Sequence, residues 1–395
     1  MISVETAKEL IVKNIQPIKP ISKFLDDSLN HYLAHDVISD VDIPLFNQSA
    51  MDGYAFKFSD KSLKLKVVNE VAAGDIKSVE VKNGEAIRIF TGSKLPESCD
   101  TVVMQELTER NEDNLFILDV GLKFQGNVRL KGNQLKKGEV ALKKGTKLTP
   151  ASIGFLATLG VQKVLVNQKP SVCIIATGSE LMPLGSVLKE GQIFESNTHM
   201  LNAALKNLNI EPEVKIVKDD LNTTKTAINT ALEKFDVLIL SGGISVGEYD
   251  FVKECLLENQ VKEVFHKIKQ KPGKPMFFGV KENKTIFALP GNPAAALSCF
   301  YMYVFPALKL MVGSPNPFLP SLKLPLAQKY VKKEGRAVFL KSTINQNKVE
   351  LLHGQDSDAL QSFALADGLT YIPSEKDVIE ENELVEIYLL PQFIN

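Results

Sequence analysis

Apolar residues recur at helical spacing at the start of the chain, at Val4, Ala7, Ile11 and Ile15, and predict an amphipathic helix over residues 3–16. A second helix is predicted over residues 23–33. The pattern changes after Pro44. Between residue 47 and about residue 142, short β-rich runs at 63–68, 86–90, 101–104 and 115–120 are broken by Gly, Asn and charged pairs. Strands of that length between turn residues predict a small barrel or sandwich. Thr149 and Pro150 then open a helix over 151–159, and Gly160 stops it.

From residue 170 to 312 apolar runs alternate with amphipathic stretches. Strands are predicted at 172–176, 214–217, 236–240, 275–280 and 285–289. Helices are predicted at 199–208, 223–234, 248–258 and 293–311. This alternation predicts a parallel sheet with helices on both faces, and strands covered on both sides read as continuous apolar runs. The proline-rich segment 314–320 marks a boundary, and β-rich runs follow at 337–342, 349–352, 369–372 and 384–390. The expected architecture is a multidomain α/β protein. Its parts are a helical and linker domain (1–43 plus 135–168), an inserted β-domain (44–134), a central doubly wound α/β domain (169–313) and a C-terminal β-domain (314–395).

Ligands of open α/β sheets bind beyond the carboxyl ends of the strands, so the chemistry is sought there. The first strand runs into Thr177, Gly178, Ser179 and Glu180, a small anion-binding turn with an acid beside it, or a plain helix-capping turn. The 236–240 strand runs into Ser241, Gly242, Gly243, Ile244, Ser245, Val246 and Gly247, and then Glu248 and Asp250. Three glycines and two serines exceed what a turn needs and let backbone N–H groups approach a phosphate. Lys267, Lys269, Lys271 and Lys274 surround the turn at Pro272 and Gly273, and are read as facing the same crevice rather than as a solvated charge run. Pro290, Gly291 and Asn292 lead into a helix with Asn292 as expected N-cap and Pro293 at the first helical position. Together these loops describe a crevice for a phosphorylated ligand, and acids beside phosphates imply a bridging divalent cation such as Mg²⁺. Asp52, before Gly53, reads on its own as a turn residue.

Composition narrows the choice of partner. The chain has 395 residues, 44% hydrophobic and 24% charged, with a formal net charge of −1. That is the mix of a globular protein, and no basic surplus points to nucleic acid. Residues 297–312, the longest apolar stretch, are interrupted by Ser298, Pro306 and Lys309, and no membrane span is expected. Glu5, Lys8 and Glu9 stand where a signal peptide needs an apolar core, so a cytoplasmic location is expected. Cys99, Cys173, Cys255 and Cys299 form no CxxC, and Cys173 and Cys299 read as buried thiols.

The stretches PLFNQSAMDGYAF, RIFTGSKLPESCDTVVMQE, ATGSEL, SGGISVGEYDF, KPGKP and LPGNPAAAL resemble the molybdopterin molybdenumtransferases, which include the bacterial MoeA proteins and the E-domain of gephyrin. The resemblance covers nearly the whole chain, with motifs in the family's order. It implies binding of adenylylated molybdopterin in the α/β domain, insertion of molybdenum from molybdate, and release of AMP with Mg²⁺. It also implies a homodimer whose cleft is shared between protomers, and a molybdopterin adenylyltransferase as donor of the substrate. The positions that match functional residues are Asp52, Thr91, Glu180, Asp220, Asp250, Lys267, Lys271, Arg336 and Ser357. Of these, Asp52, Glu180, Asp220, Asp250, Lys267 and Lys271 are the expected catalytic residues, with Glu180 and Asp250 as metal ligands. Thr91, Thr177, Gly178, Ser179, Ser241, Gly242, Gly243, Ser245, Gly247, Lys274, Pro290, Gly291, Asn292, Arg336 and Ser357 are expected to bind substrate. The alternatives are a molybdopterin adenylyltransferase, or a scaffold that keeps the ligand without turnover.

One stretch departs from the family pattern. The family's Arg-x-x-Gly-Glu-Asp run is here Arg129, Leu130, Lys131, Gly132, Asn133 and Gln134, with both acids replaced by amides. Gln134 keeps hydrogen bonding but loses charge and basicity. Gln134→Asp is expected to fold normally and to raise turnover, measured as AMP released per protomer; an unchanged rate would make this position structural.

Overall fold

A computed structural model describes residues 1–75, 79–218, 220–244, 251–333 and 335–394. The described chain forms two compact units, residues 1–21 with 166–395, and residues 22–165.

The first unit is built on a six-stranded sheet in the order Glu213–Val217, Val172–Thr177, Val237–Ser241, Lys284–Leu289, Phe277–Lys281, Lys262–His266. The first four strands are parallel, and the last two pair antiparallel. Successive side chains of a strand point to opposite faces. Ile174, Ile239 and Phe287 therefore meet Leu201, Leu205 and Ala296 on one face, where Val4, Ala7 and Ile11 of the Val4–Asn14 helix join the same core. Cys173, Ile175, Leu238 and Leu240 meet Ile228, Leu232, Cys255 and Leu256 on the other. Both faces are covered by helices, as in a doubly wound sheet.

The sheet is not wholly parallel, which corrects the sequence expectation. Glu282 (φ 54°) and Asn283 are all that separate Phe277–Lys281 from Lys284–Leu289, and so short a link can only join antiparallel strands. The Lys262–His266 strand escaped the reading because its edge position leaves Lys262 and Glu263 exposed. The helix expected at 248–258 is seen from Val252 to Glu258, and residues 245–250 lie outside the described residues.

The helix expected at 293–311 is two α-segments, Pro293–Cys299 and Phe305–Met311, joined by a π turn at Phe300–Val304. Pro306 has no N–H to donate to the preceding turn, and its ring crowds the carbonyl there; the wider π turn lies immediately before it. By length and composition this helix could cross a membrane, but its apolar window is 83% buried inside the protein.

A second sheet of this unit runs in the order Gln270–Lys271, Ala337–Asn345, Gly368–Ile372, Leu384–Leu389, Ser321–Pro325, with Lys348–Leu351 added to Ala337–Asn345. Its edge strand comes from the lysine-rich segment, which pairs in parallel as Gln270 with Ala337 and Lys271 with Val338. The lysine segment is thus a strap between the two sheets and more than a surface turn.

The unit of residues 22–165 holds a six-stranded sheet ordered Thr101–Met104, Gly53–Phe56, Glu85–Ile89, Leu65–Val71, Asn114–Ile117, Thr108–Asn111. Tyr54, Phe56, Leu65 and Val103 pack on one face, Ala55, Ile87, Ile89 and Val102 on the other. The Pro150–Thr158 helix begins as expected, with a reciprocal cap between Thr149 and Ser152. The helix expected at 23–33 is absent. Its place is taken by the end of the Pro20–Phe24 strand and a 3-10 turn, Leu25–Ser28, and Asn30 follows in a left-handed conformation (φ 65°). Asp26, Asp27 and Ser28 favour turns by bonding nearby backbone, and they outweigh the apolar spacing.

Gly53 lies hard against the neighbouring strand. A Cβ there would stand 1.9 Å from the carbonyl oxygen of Val103 in the neighbouring strand. Gly53→Ala is expected to cost about 3 kcal/mol or more by forcing the strands apart, read as a lower denaturant midpoint of unfolding. A midpoint equal to wild type would show that the strand pair yields freely.

Candidate functional site

Strands that pair in parallel register finish at one level. Ala176 lies beside Ser241, and Ser241 beside Leu289. The loops that follow these three strands line a cavity of about 830 Å³, together with the lysine strap and two segments of the second sheet.

Two glycines let the loops close on one another. Gly242 (φ 93°) and Gly243 (φ 63°) are both left-handed, which side chains oppose. A Cβ on Gly242 would stand 2.8 Å from the carbonyl oxygen of Thr177, and one on Gly243 would stand 2.7 Å from Val252 Cγ2. Asn197 then ties the loops together: its Nδ2 donates to Ser241 Oγ at 2.8 Å and to the Gly291 carbonyl at 2.7 Å. A carbonyl only accepts, so the amide orientation is fixed and Oδ1 faces the other way. Asn197 Oδ1 and Thr177 Oγ1 are buried without a protein partner, and both residues line the cavity. Glu195, 1% exposed, accepts the Thr198 N–H at 2.9 Å and holds the start of the Asn197–Lys206 helix. Asn197 and Glu195 were missed in the sequence; the only signal was an acid, a serine and an amide at a helix start.

The cavity wall holds Thr177, Gly178, Glu180, Ser241, Gly242, Gly243, Lys271, Lys274, Pro290, Gly291, Asn292, Arg336 and Ser357 of the expected residues. Asn292 occupies the N-cap position, with Pro293 at the first helical position, but its side chain makes no cap. Instead its Nδ2 donates to Ser357 Oγ at 2.6 Å. The Ala295 N–H donates to the Ser357 carbonyl at 3.0 Å. One early N–H of this helix is therefore already used, which corrects the picture of a fully open helix terminus.

Other expected residues fall elsewhere. Ser179 and Lys267 are not on the cavity wall. Lys267 is left-handed (φ 70°), and its backbone is bonded to Ile2 and Met276, so of the lysine run only Lys271 and Lys274 face the cavity. Asp220 is also off the wall. It caps the Leu221–Lys234 helix by accepting the Thr223 N–H at 2.9 Å, and bonds from Thr223 hold its carboxyl below the usual range. Ser245, Gly247, Glu248 and Asp250 lie outside the described residues.

In the unit of residues 22–165, Asp52 and Thr91 come together. Asp52 Oδ1 accepts both the Thr91 N–H and the Thr91 hydroxyl at 2.7 Å. The Thr91 backbone bond, the Thr91 hydroxyl and the nearby Arg88 charge hold the exposed Asp52 carboxyl below its ordinary range. Gln134 is exposed, and its N–H donates to the Ile43 carbonyl at 2.9 Å.

Residues 2–160 match the family model for the MoeA N-terminal region (domain I and II), residues 173–310 the probable molybdopterin binding domain, and residues 323–390 the MoeA C-terminal region (domain IV). The chain is 34% identical over 400 residues to the molybdopterin molybdenumtransferase of Staphylococcus aureus strain Mu50, covering 98% of this chain and 95% of the relative. It is 32% identical to the same-named protein of Staphylococcus epidermidis strain RP62A over the same shares. Among solved structures, it resembles the molybdopterin biosynthesis MoeA protein of Pyrococcus horikoshii, with a TM-score of 0.85, 30% identity, and coverage of 98% of this chain and 99% of that one.

Thr91→Val removes the hydroxyl bond to Asp52 and keeps the backbone bond. The Asp52 carboxyl is then expected to titrate at higher pH than in wild type, because the charged form loses an acceptor interaction. Carbon-detected NMR titration of the side chain reads this directly; an unmoved or lower midpoint would show that the hydroxyl does not act on the carboxylate.

Proposed function

The chain belongs to the molybdopterin molybdenumtransferase family, and from that premise we propose how its cavity is used. As a member it is a transferase of molybdenum-cofactor biosynthesis that inserts molybdenum. We propose that the substrate is adenylylated molybdopterin, that molybdate supplies the metal, and that AMP leaves. The observation that carries this reading is the convergence on one cavity of a glycine loop, two lysines, an arginine and a serine, with Glu180 on the same wall. Phosphate and molybdate are oxyanions, and backbone N–H groups, Lys271, Lys274 and Arg336 are donors suited to them. Buried oxygens at Thr177 and Asn197 offer acceptors to N–H or O–H groups of a bound ligand.

Among the described residues no group of three or more His, Cys, Asp or Glu could hold a metal. Mg²⁺ is commonly held by one or two carboxylates together with substrate phosphates. Glu180, with Asp250, is proposed to hold it, and bound Mg²⁺ would neutralise phosphate charge as AMP departs. Asp52, supported by Thr91, is proposed to serve the reaction in a homodimer. Asp220 is proposed to act through its helix cap, and Lys267 through the backbone it fixes beside the strap. A molybdopterin adenylyltransferase is the proposed donor and the cytoplasm the proposed location; all four cysteines are buried and free, which fits a reducing compartment.

Purified protein given adenylylated molybdopterin, molybdate and Mg²⁺ is expected to release AMP in step with formation of active cofactor. Absence of AMP release would leave a binding protein without turnover. Lys271→Ala is expected to raise the apparent KM about tenfold and to flatten its dependence on salt, since one oxyanion contact is lost. A KM and salt slope equal to wild type would remove Lys271 from the binding site.

A further inference from the structure

Lys341 is a charged side chain in an unusual place. It lies in the Ala337–Asn345 strand, is 2% exposed, and among the described residues makes no ion pair. Its Nζ donates to the carbonyl of Asp356 at 3.0 Å and to that of Ala359 at 3.2 Å. These two carbonyls are the ends of a tight turn closed by the Ala359 N–H donating to the Asp356 carbonyl at 3.2 Å. The two residues at the tip of that turn, Ser357 and Asp358, both line the cavity. One buried ammonium thus grips from beneath the turn that presents Ser357.

The surrounding bonds add to the grip. The Lys341 N–H donates to Gln355 Oε1 at 3.0 Å, and Gln355 Nε2 donates back to the Lys341 carbonyl and to the Leu352 carbonyl, each at 2.8 Å. Ser362 Oγ donates to the Gly354 carbonyl at 2.6 Å. In a planar trans peptide the C=O and the following N–H point in opposite directions. With the Asp356 carbonyl turned to Lys341, the Ser357 N–H points away from the ammonium. Packing alone would favour an apolar residue here, because an ammonium without a carboxylate loses its hydration on burial. The charge earns its place only if the turn must hold one shape. Burial lowers the Lys341 pKa, and the charges of Asp356 and Asp358 oppose that shift.

We propose that Lys341 is a positioning residue, whose buried ammonium fixes both ends of the 356–359 turn and so sets the hydroxyl of Ser357 for binding the tetrahedral oxyanion substrate. This rests on the reading that Ser357 belongs to the oxyanion site. It assigns the contribution of Lys341 to geometry transmitted through Ser357, with no contact between Lys341 and the anion.

The test is a double-mutant cycle on the full chain, with molybdate binding measured by calorimetry and folding checked by thermal unfolding. Ser357→Ala and Lys341→Met are each expected to weaken molybdate binding about tenfold, the size of one lost hydrogen bond in a binding site. The double variant is expected to bind no more weakly than Ser357→Ala, because the lysine acts through the serine. A general loss of structure would instead multiply the two defects, and that result would overturn the proposal, as would wild-type affinity in Lys341→Met. Wild-type affinity in Ser357→Ala would remove Ser357 from the oxyanion site, and the proposal would fall with the reading beneath it. If Lys341→Met does not fold, Lys341→Gln, which keeps an N–H donor, carries the same comparison. If neither variant folds, Lys341 serves the fold alone and the proposal is wrong.

Discussion

The parallel register of three buried strands is the constraint on which the site depends. Val172–Thr177, Val237–Ser241 and Lys284–Leu289 pair residue for residue, so their carboxyl ends stand level and their loops must share one space. The register is set by burial on both faces, since a slip by one residue would exchange the side chains that meet the two helix layers. Once the ends are level, little room is left between the Thr177 carbonyl and the next loop. Only glycine meets that limit at 242, and Asn197 supplies the donors that hold the loops together.

The strap brings two of the cavity's cations, Lys271 and Lys274, on a buried base. Gln270 is fully buried; its Nε2 donates to the Pro272 carbonyl at 3.0 Å, and Tyr303 donates to its Oε1. Tyr303 belongs to the π turn that precedes Pro306, so the irregularity in the long helix sits directly under the strap. Gly273 (φ 87°) lies so close to Cys299 that a Cβ would stand 2.3 Å from its sulfur. Burial pushes the Cys299 thiol well up, so it stays protonated, and its Sγ–H lies 3.6 Å from the Gly273 carbonyl. The lysines at 271 and 274 are thus exposed heads on a rigid base.

What could be read from the sequence follows from how local each signal is. The strands near 172, 237 and 285 were legible because burial on both faces writes a continuous apolar run. The glycine pair at 242 and 243 was legible because no other residue type serves there. Lys262–His266 and Gly53–Phe56 were not, since the first is an edge strand with exposed charges and the second follows a dipeptide that reads as a turn. The unpaired acceptor of Asn197 depends on partners 44 and 94 residues away, and no spacing rule reaches that far. Arg336 and Ser357 had no local motif and came from family resemblance alone, yet the structure places both on the cavity wall. Lys267 shows the reverse case: a lysine among lysines that does not line the cavity.

Charge on the cavity wall comes from both sheets of the unit. Glu180 and Glu195 come from the loops of the α/β sheet, and Glu195 is already bound to Thr198. Lys271 lies in the Gln270–Lys271 strand and Arg336 directly precedes the strand beside it, since Gln270 pairs with Ala337. Counted as formal charges, the described wall has three acids, Glu180, Glu195 and Asp358, against Lys271, Lys274 and Arg336. Net charge therefore does not draw an anion into this cavity. What the wall offers an anion is local: two lysines, an arginine and the Ser357 turn gathered in one cavity. A ligand carrying phosphate together with a cation would meet partners of both signs on the described wall, whereas a bare anion meets as many acids as bases.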